Sequence, residues 1–205
     1  MDNSQEYWEK TIRTLNPYNS QYDGWLDKYF TMNTGISPRV IELGCGWGDD
    51  TAFLSKLNIE LLSCDFSVEA IKIIKERFPQ VKTSIFDMRS KFPLEDASAD
   101  YIIADLCLHY FNNSQLEHIA IELKRVLTNK GIFLCRVNSD KDSSFIYHKN
   151  SPEEGLVLTE DGYKRFFNRD LIYKVFNSFK IILCDLYEIK KYPVPKIIWE
   201  VCLCN

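Results

Sequence analysis

Apolar and polar positions follow two rhythms along this chain, and the changes between them mark out its elements. Short apolar runs fall at 38–43, 59–64, 82–86, 100–105 and 131–137. Between them apolar residues recur three and four apart, the period of an amphipathic helix. Strands that alternate with helices predict a parallel sheet built from βαβ units. Residues 49–57 suit the first turns of one helix. A second is expected over 67–78, with Ser67 as its N-cap and Pro79 just past its end. A third should start at Ser114, where Ser114-Gln115-Leu116-Glu117 reads as a capping box. Its stripe of Leu116, Ile119, Ala120, Leu123, Val126 and Leu127 belongs to the core, and Gly131 returns the chain to the sheet.

After the fifth run the rhythm fails. Residues 139–165 are rich in Ser, Asp, Lys, Asn and Gly and carry no sustained period. Segments of this length inside a domain serve as lids or stay disordered, and a lid is expected here. A helix over 168–179 and strands at 181–187 and 197–203, joined through Pro193 and Pro195, close the chain. Ahead of the first strand, residues 1–36 predict a helical cap bearing Tyr7, Trp8, Tyr18, Tyr22, Trp25, Tyr29 and Phe30. Either these rings pack on the sheet or they form a lid over a ligand. With no internal repeat and no linker, residues 1–205 are expected to be a single domain.

Composition narrows the classes. With 45% hydrophobic and 26% charged residues among 205, the chain is folded and large enough for a full core. Net charge is −4 without a basic stripe, whereas proteins that grip nucleic acid carry a basic excess. Lys72, Lys75 and Arg77 form the solvated face of a helix, and Lys190-Lys191 sits beside prolines. The seven cysteines are odd in number, lack C-x-x-C spacing and lie in apolar runs, where a thiol acts as a small hydrophobe. A reduced, cytoplasmic protein with no metal site is expected. The polar, acidic first residues predict no signal peptide, and no apolar stretch approaches the roughly 20 residues that cross a bilayer.

Candidate chemistry begins at Val40-Ile41-Glu42-Leu43-Gly44-Cys45-Gly46-Trp47-Gly48. Three glycines two apart after an apolar run let the backbone turn sharply and approach a ligand, as at the nucleoside sites of α/β sheets. Asp65 follows Gly46 by 19 residues at the tip of the second run. There it either accepts hydrogen bonds from ribose hydroxyls or caps the next helix. Dinucleotide sites use G-x-G-x-x-G, but Asp49 stands in place of the third glycine, and a carboxylate there would repel a pyrophosphate. That counts against a nicotinamide-dependent dehydrogenase. Glu42, Asp65, Asp87 and Asp105 recur 18 to 23 residues apart at or near strand ends. Ligands of open α/β sheets bind at those ends, and four acids suit an amine and ribose hydroxyls better than a polyphosphate.

The segment Glu42-Leu43-Gly44-Cys45-Gly46-Trp47-Gly48 resembles the first motif of the class I S-adenosylmethionine-dependent methyltransferases. The likeness continues through Cys64-Asp65-Phe66-Ser67, Phe86-Asp87-Met88, Asp100 to Tyr110, Leu123 to Leu127 and Gly131 to Leu134, over about half the chain. The chain is similar to the small-molecule type, methyltransferase domain 11/25-like. The resemblance implies an α/β, Rossmann-like, seven-stranded, mostly parallel sheet in the order 3-2-1-4-5-7-6, its last strand antiparallel, with helices on both faces. It implies S-adenosyl-L-methionine as cofactor and an in-line methyl transfer but says little of the acceptor; the acidic charge and compact size favour a small molecule over nucleic acid, and no membrane partner is expected. A protein, peptide or RNA acceptor, or a binding module without turnover, are the alternatives.

By the same resemblance, Glu42 anchors the glycine loop and the methionine amine, while Gly44, Cys45 and Gly46 line methionine and ribose. Asp65 takes the ribose, Phe66 borders the adenine, Asp87 and the Met88 backbone face its edge, and Asp105 and Leu106 lie nearest the sulfonium. Trp25 or Tyr22 would flank that cation if the aromatic cap is a lid. His109 is the candidate base, needed only for a hydroxyl or protonated amine acceptor. Tyr110, Arg136, Asn138 and Tyr147 are candidates for acceptor contacts. The place after the fourth strand reads Ala104-Asp105-Leu106-Cys107, unlike the Asn/Asp-Pro-Pro-aromatic motif of enzymes that methylate base amines. Asn16-Pro17-Tyr18-Asn19, which looks similar, precedes the first motif and reads as a turn. Cys107 lies between leucines as an inert core thiol.

Overall fold

Five strands run parallel, so their carboxyl ends share one edge: β1 (Arg39–Leu43), β2 (Glu60–Asp65), β3 (Lys82–Ile85), β4 (Ala99–Asp105) and β5 (Leu127–Asn138). They come from a computed structural model that describes residues 3–14, 21–30, 37–145, 151, 153–159, 162–190 and 194–205. Two long strands complete the sheet. β9 (Lys196–Cys204) pairs antiparallel with β5, and β8 (Lys180–Ile189) pairs antiparallel with β9 at the edge. The order is β3-β2-β1-β4-β5-β9-β8, the expected one once the seven strands of this sheet are counted in sequence.

Alternation along the strands separates two cores. Ile41, Leu43, Ile102, Ala104, Phe133 and Cys135 face one side, under α4 (Asn113–Val126) and α5 (Arg169–Val175). Val40, Ile103 and Leu134 face the other, with Leu54 of α2 (Asp49–Leu54), Ile71 and Ile74 of α3 (Val68–Arg77), and Trp25 and Leu26. Helices on both faces leave the carboxyl edge as the place for a ligand.

Local chemistry moves several boundaries. Ser67 caps α3 as expected, accepting from the Ala70 N–H at 3.2 Å. The capping box of α4 begins at Asn112 rather than Ser114. Asn112 Oδ1 accepts from the Gln115 N–H and Gln115 Oε1 from the Asn112 N–H, both at 2.9 Å, while Ser114 spends its hydroxyl on Asn112. β5 starts at Leu127, before Gly131, because the chain passes from helix to strand through a register shift. α5 ends at Val175, short of Phe179, although Phe176 and Phe179 stay buried in the turn beyond it.

The expectation that 139–165 lacks regular structure is corrected. β6 (Leu156–Thr159) and β7 (Gly162–Arg165) form an antiparallel hairpin there. A single buried cation fixes it: Arg165 donates to the Phe111 carbonyl at 3.0 Å and the Glu154 carbonyl at 2.8 Å, and pairs with Glu153. Glu153 in turn accepts from the Asn113 N–H at 2.8 Å, which ties the hairpin to the start of α4. Tyr18, the Asn16–Asn19 segment, Tyr147 and Pro193 lie outside the described residues. Among those described, no helix is long and apolar enough to cross a membrane.

Candidate active site

The loop from β1 to α2 turns through three glycines in left-handed conformation, each for a different reason. At Gly44 (φ +69°) a Cβ would lie 2.8 Å from the Cβ of Cys107, so strand β4's exit closes against it. At Gly48 (φ +83°) a Cβ would meet Ile74 and Phe78. Around Gly46 (φ +49°) nothing lies within 4 Å of that position. Packing therefore requires two of the glycines, and the third opens toward free space at the carboxyl edge. The Cys45 N–H donates to the Cys64 carbonyl at 3.0 Å, keeping the loop beside the tip of β2.

All four expected acids stand at this edge, in two kinds of environment. Asp65 ends β2 and is 7% exposed; Oδ2 accepts from the Gly46 N–H at 3.0 Å and Oδ1 from the Ser67 N–H at 2.9 Å. Burial raises its pKa, opposed by those amides. Two of the roughly four lone-pair positions of the carboxylate are thus used. Glu42 is buried on β1, accepting from the hydroxyls of Thr51 and Ser63 at 2.6 Å each. Burial pushes its pKa up to about 7, against those two bonds. Its carboxylate serves the loop by fastening α2 to β1 and β2.

Asp87 and Asp105 are both held by arginines. Burial alone would raise the pKa of Asp87, but Arg89, two residues on, grips both its oxygens at 2.6 to 3.0 Å and leaves it lowered. Met88 between them packs partly against the main core, and Phe66 is half-buried beside Asp65. Asp105 ends β4 and meets Arg136 of β5 through a fork, 2.6 Å to Nε and 2.7 Å to Nη2. Leu106, next in the chain, adopts φ +50°, a strained conformation of the kind that collects at functional sites.

Arg136 is the centre of a larger cluster. Its Nη1 donates to Asp23 at 2.7 Å, and its guanidinium lies 4.6 Å from the Trp25 ring centroid. Trp25 Nε1 donates to Asp50 at 2.9 Å. The cation that the Trp25 ring meets is therefore Arg136, and the Tyr22 ring stacks on Phe53 at 4.6 Å. Asp50 has its pKa raised well above the usual range by burial, with Asp105 and Glu42 adding repulsion. Burial opposes the charge of Arg136, yet Asp105 and Asp23 raise its pKa. This cluster fastens residues 21–30 onto the ends of β4 and β5.

His109, in a short turn at 108–110 after β4, is 2% exposed, and its Nδ1 has no hydrogen-bond partner among the described residues. Burial depresses its pKa well below 6.5, and Lys196 and Lys164 depress it further, so it is neutral at pH 7. Tyr110 lies against it at 4.3 Å between centroids. Asn138, at the end of β5, is equally buried, with Nδ2 unpartnered among the described residues. Burial keeps the Cys107 thiol protonated, as expected of an inert core residue.

α1 (Asn3–Thr14) crosses this edge from one side to the other. Glu9 accepts from the first N–H groups of α3, Val68 at 2.9 Å and Glu69 at 3.4 Å, and Arg13 pairs with Glu69 at 3.1 Å. Trp8 packs edge-on against Tyr110, 5.2 Å away, past the end of β4. Sequence reasoning missed Glu9, Asp23 and Asp50, whose partners lie 25 to 113 residues away and leave no local pattern. Arg89 could have been found, since an arginine two residues past a candidate acid is placed to fold back on it.

Comparison with known proteins agrees with this geometry. Residues 40–131 match the family model described as a methyltransferase domain. An uncharacterized methyltransferase of Synechocystis is 30% identical over 117 residues, covering 56% of this chain and 54% of its own length. The tRNA N(3)-cytidine methyltransferase METTL2 of Xenopus tropicalis is 26% identical, over 68% of this chain and 46% of its own. The chain thus spans about half the length of these curated relatives. Among solved structures, a SAM-dependent methyltransferase from Methanosarcina mazei superposes with a TM-score of 0.74 at 14% identity, covering 88% of this chain and 97% of the other.

Proposed function

The chain belongs to the class I S-adenosylmethionine-dependent methyltransferase superfamily, and on that premise we propose that it transfers a methyl group from S-adenosylmethionine to a small-molecule acceptor. One observation carries the reading. Gly46 is open where its neighbours Gly44 and Gly48 are packed, and its amide is held by a carboxylate that keeps lone pairs to spare. A cradle that a Cβ would fill, beside an acid able to take ribose hydroxyls, fits this cofactor. When bound, S-adenosylmethionine supplies a methyl group on a sulfonium.

The chain's own residues would bind and orient. In this reading Gly44, Cys45 and Gly46 carry the methionine and ribose, Asp65 takes the ribose hydroxyls, and Phe66, Asp87 and Met88 border the adenine. Asp105 and Leu106 face the sulfonium side, with Glu42 acting through the loop it fastens. Such a transfer is driven by alignment of donor and acceptor and by exclusion of water. The α1 helix and residues 21–30 supply the cover, and we assign them the lid role. His109 accepts a proton only from a hydroxyl or amine acceptor.

The charge of −4 favours a small acceptor over RNA. The second reading, a tRNA acceptor, is favoured by the likeness to METTL2. Methyl transfer to total tRNA, measured against transfer to a small-molecule extract, separates the two. Incorporation into tRNA that falls steeply with salt would establish the second, because phosphate contacts release counterions.

The cofactor assignment has a direct test. Calorimetry should show saturable binding of S-adenosylhomocysteine and none of NADH; the reverse preference would sink it. Gly46→Ala should fold, since a left-handed alanine costs about 1–2 kcal/mol, yet lose at least tenfold in cofactor affinity as the methyl group enters the cradle. Unchanged affinity in the folded variant would place the cofactor elsewhere.

Glu9→Ala tests the lid. Removing the carboxylate that joins α1 to α3 should speed hydrogen exchange in residues 3–14 and speed cofactor release, with the sheet unaffected. Equal exchange in both proteins would show that α1 is held by its rings alone.

A further inference from the structure

One residue of β5 touches both the cap segment, residues 21–30, and the exit of β4. Arg136, 3% exposed, grips that exit twice: its guanidinium forks onto Asp105 at 2.6 and 2.7 Å, and its backbone carbonyl accepts from the Leu106 N–H at 3.0 Å. On the other side Nη1 donates to Asp23 at 2.7 Å, and the guanidinium lies 4.6 Å from the centroid of the Trp25 ring. Asp23 and Trp25 belong to the cap, Asp105 and Leu106 to the turn beside the glycine loop.

The turn needs such a grip. Leu106 stands at φ +50°, and a left-handed leucine persists only where its surroundings over-determine it. The turn is also in contact with the glycine loop. Cys107 Sγ donates to the Leu43 carbonyl at 3.4 Å, and a Cβ on Gly44 would lie 2.8 Å from that of Cys107. A shift at Leu106 therefore reaches the loop through its next neighbour. The cap, by contrast, has anchors besides Arg136. Lys28 and Tyr29 reach Glu200 of β9 at 2.6 and 2.5 Å, Trp25 donates to Asp50 of α2, and Tyr22 stacks on Phe53 of the same helix. Asp23 is one tether of the cap among several, but it is the one that ends on the residue holding the turn.

We propose that Arg136 is a positioning residue that couples docking of the cap to the shape of the β4 exit, and through it to the glycine loop that carries the cofactor. With Asp23 and Trp25 in place, the guanidinium is pinned and holds Asp105 and Leu106. Without its outer partner the fork loosens and the left-handed turn relaxes. Closure of the cap and completion of the cofactor site are then one step. The inference rests on the methyltransferase reading, which gives the turn a cofactor to align.

The test is a double-mutant cycle between cap and turn, read by calorimetry with S-adenosylhomocysteine. Asp23→Ala removes the outer carboxylate of Arg136, a side chain 20% exposed. Leu106→Gly removes the strain, because glycine takes a left-handed turn without support. Alone, Asp23→Ala should weaken binding at least fivefold and speed hydrogen exchange of the Leu106 N–H. In the Leu106→Gly background the same substitution should cost less than twofold. Tyr29→Phe, which loosens the cap at Glu200 and leaves the partners of Arg136 in place, should cost the same factor in both backgrounds. Asp23→Asn, which keeps an acceptor for Nη1, should repeat the pattern at smaller size if the alanine variant fails to fold. Equal losses from Asp23→Ala in the two backgrounds would overturn the coupling, as would a Leu106 amide that exchanges as slowly as before. A Tyr29→Phe loss that also vanishes beside Leu106→Gly would make the whole cap, rather than Arg136, the positioning element. If the unaltered protein takes up no S-adenosylhomocysteine, the methyltransferase reading falls first and this inference with it. If it binds but the losses multiply, the positioning role alone falls.

Discussion

Arg136→Met is expected to destabilise the fold by about 3–5 kcal/mol near neutral pH, the size typical when one member of a buried charge group is removed and its partners stay behind. The guanidinium answers the paired carboxylate of Asp105 and that of Asp23, and its charge also eases Asp50. Methionine replaces much of the apolar stem but none of the charge, so the loss is electrostatic rather than a cavity effect. The pH dependence identifies the cause. Burial already raises the folded-state pKa of Asp50 above its unfolded value, and loss of the arginine removes a charge that opposes that rise. A raised acid binds more protons folded than unfolded, so stability grows as pH falls through the folded pKa toward the ordinary carboxylate value of about 4. The variant's deficit should therefore shrink steadily from pH 7 to pH 5 in urea titrations. A deficit that stays constant over that range would mean the arginine contributes packing against Trp25 instead of charge balance.

The periodicities that locate strands and helices are local, which is why the sheet was legible in the sequence. Five apolar runs with helical segments between them leave few arrangements, and the methyltransferase resemblance supplied the order and the antiparallel strand. The glycine loop was legible too, because left-handed turns select glycine in sequence. Boundaries set by side chains competing for the same amide were not: Asn112 and Ser114 are equally plausible caps on paper, and only geometry gives the box to Asn112. The hairpin within 139–165 was hidden because its short strands are held by Arg165, which bonds the Phe111 carbonyl 54 residues away and pairs with Glu153, itself tied to the distant Asn113 N–H. The acids at the strand ends were found by spacing, but spacing says nothing of what already holds them. Arg89, Arg136, Thr51 and Ser63 decide which of those carboxylates faces outward, and Asp65 is the one whose visible partners are backbone amides alone.

That distinction gives Asp65→Ala the largest expected effect on binding. If Asp65 accepts from ribose hydroxyls, its loss removes charged hydrogen bonds and should weaken S-adenosylhomocysteine by about 2–3 kcal/mol, roughly 30- to 150-fold. The same substitution also frees the Gly46 and Ser67 amides. A purely structural role would therefore appear as a lower melting temperature, with the folded protein's affinity nearly intact. Asp65→Asn separates the two contributions. Its amide oxygen can still accept from one backbone N–H, so most of the stability should return, while the lost charge and the inserted N–H₂ still weaken the ribose contact. Recovery of stability without recovery of affinity would assign the carboxylate to the cofactor. Recovery of both, or an Asp65→Ala protein that binds as tightly as the unaltered chain, would make Asp65 a clamp between β2 and the glycine loop. The ribose would then have to be held by another group at the carboxyl edge.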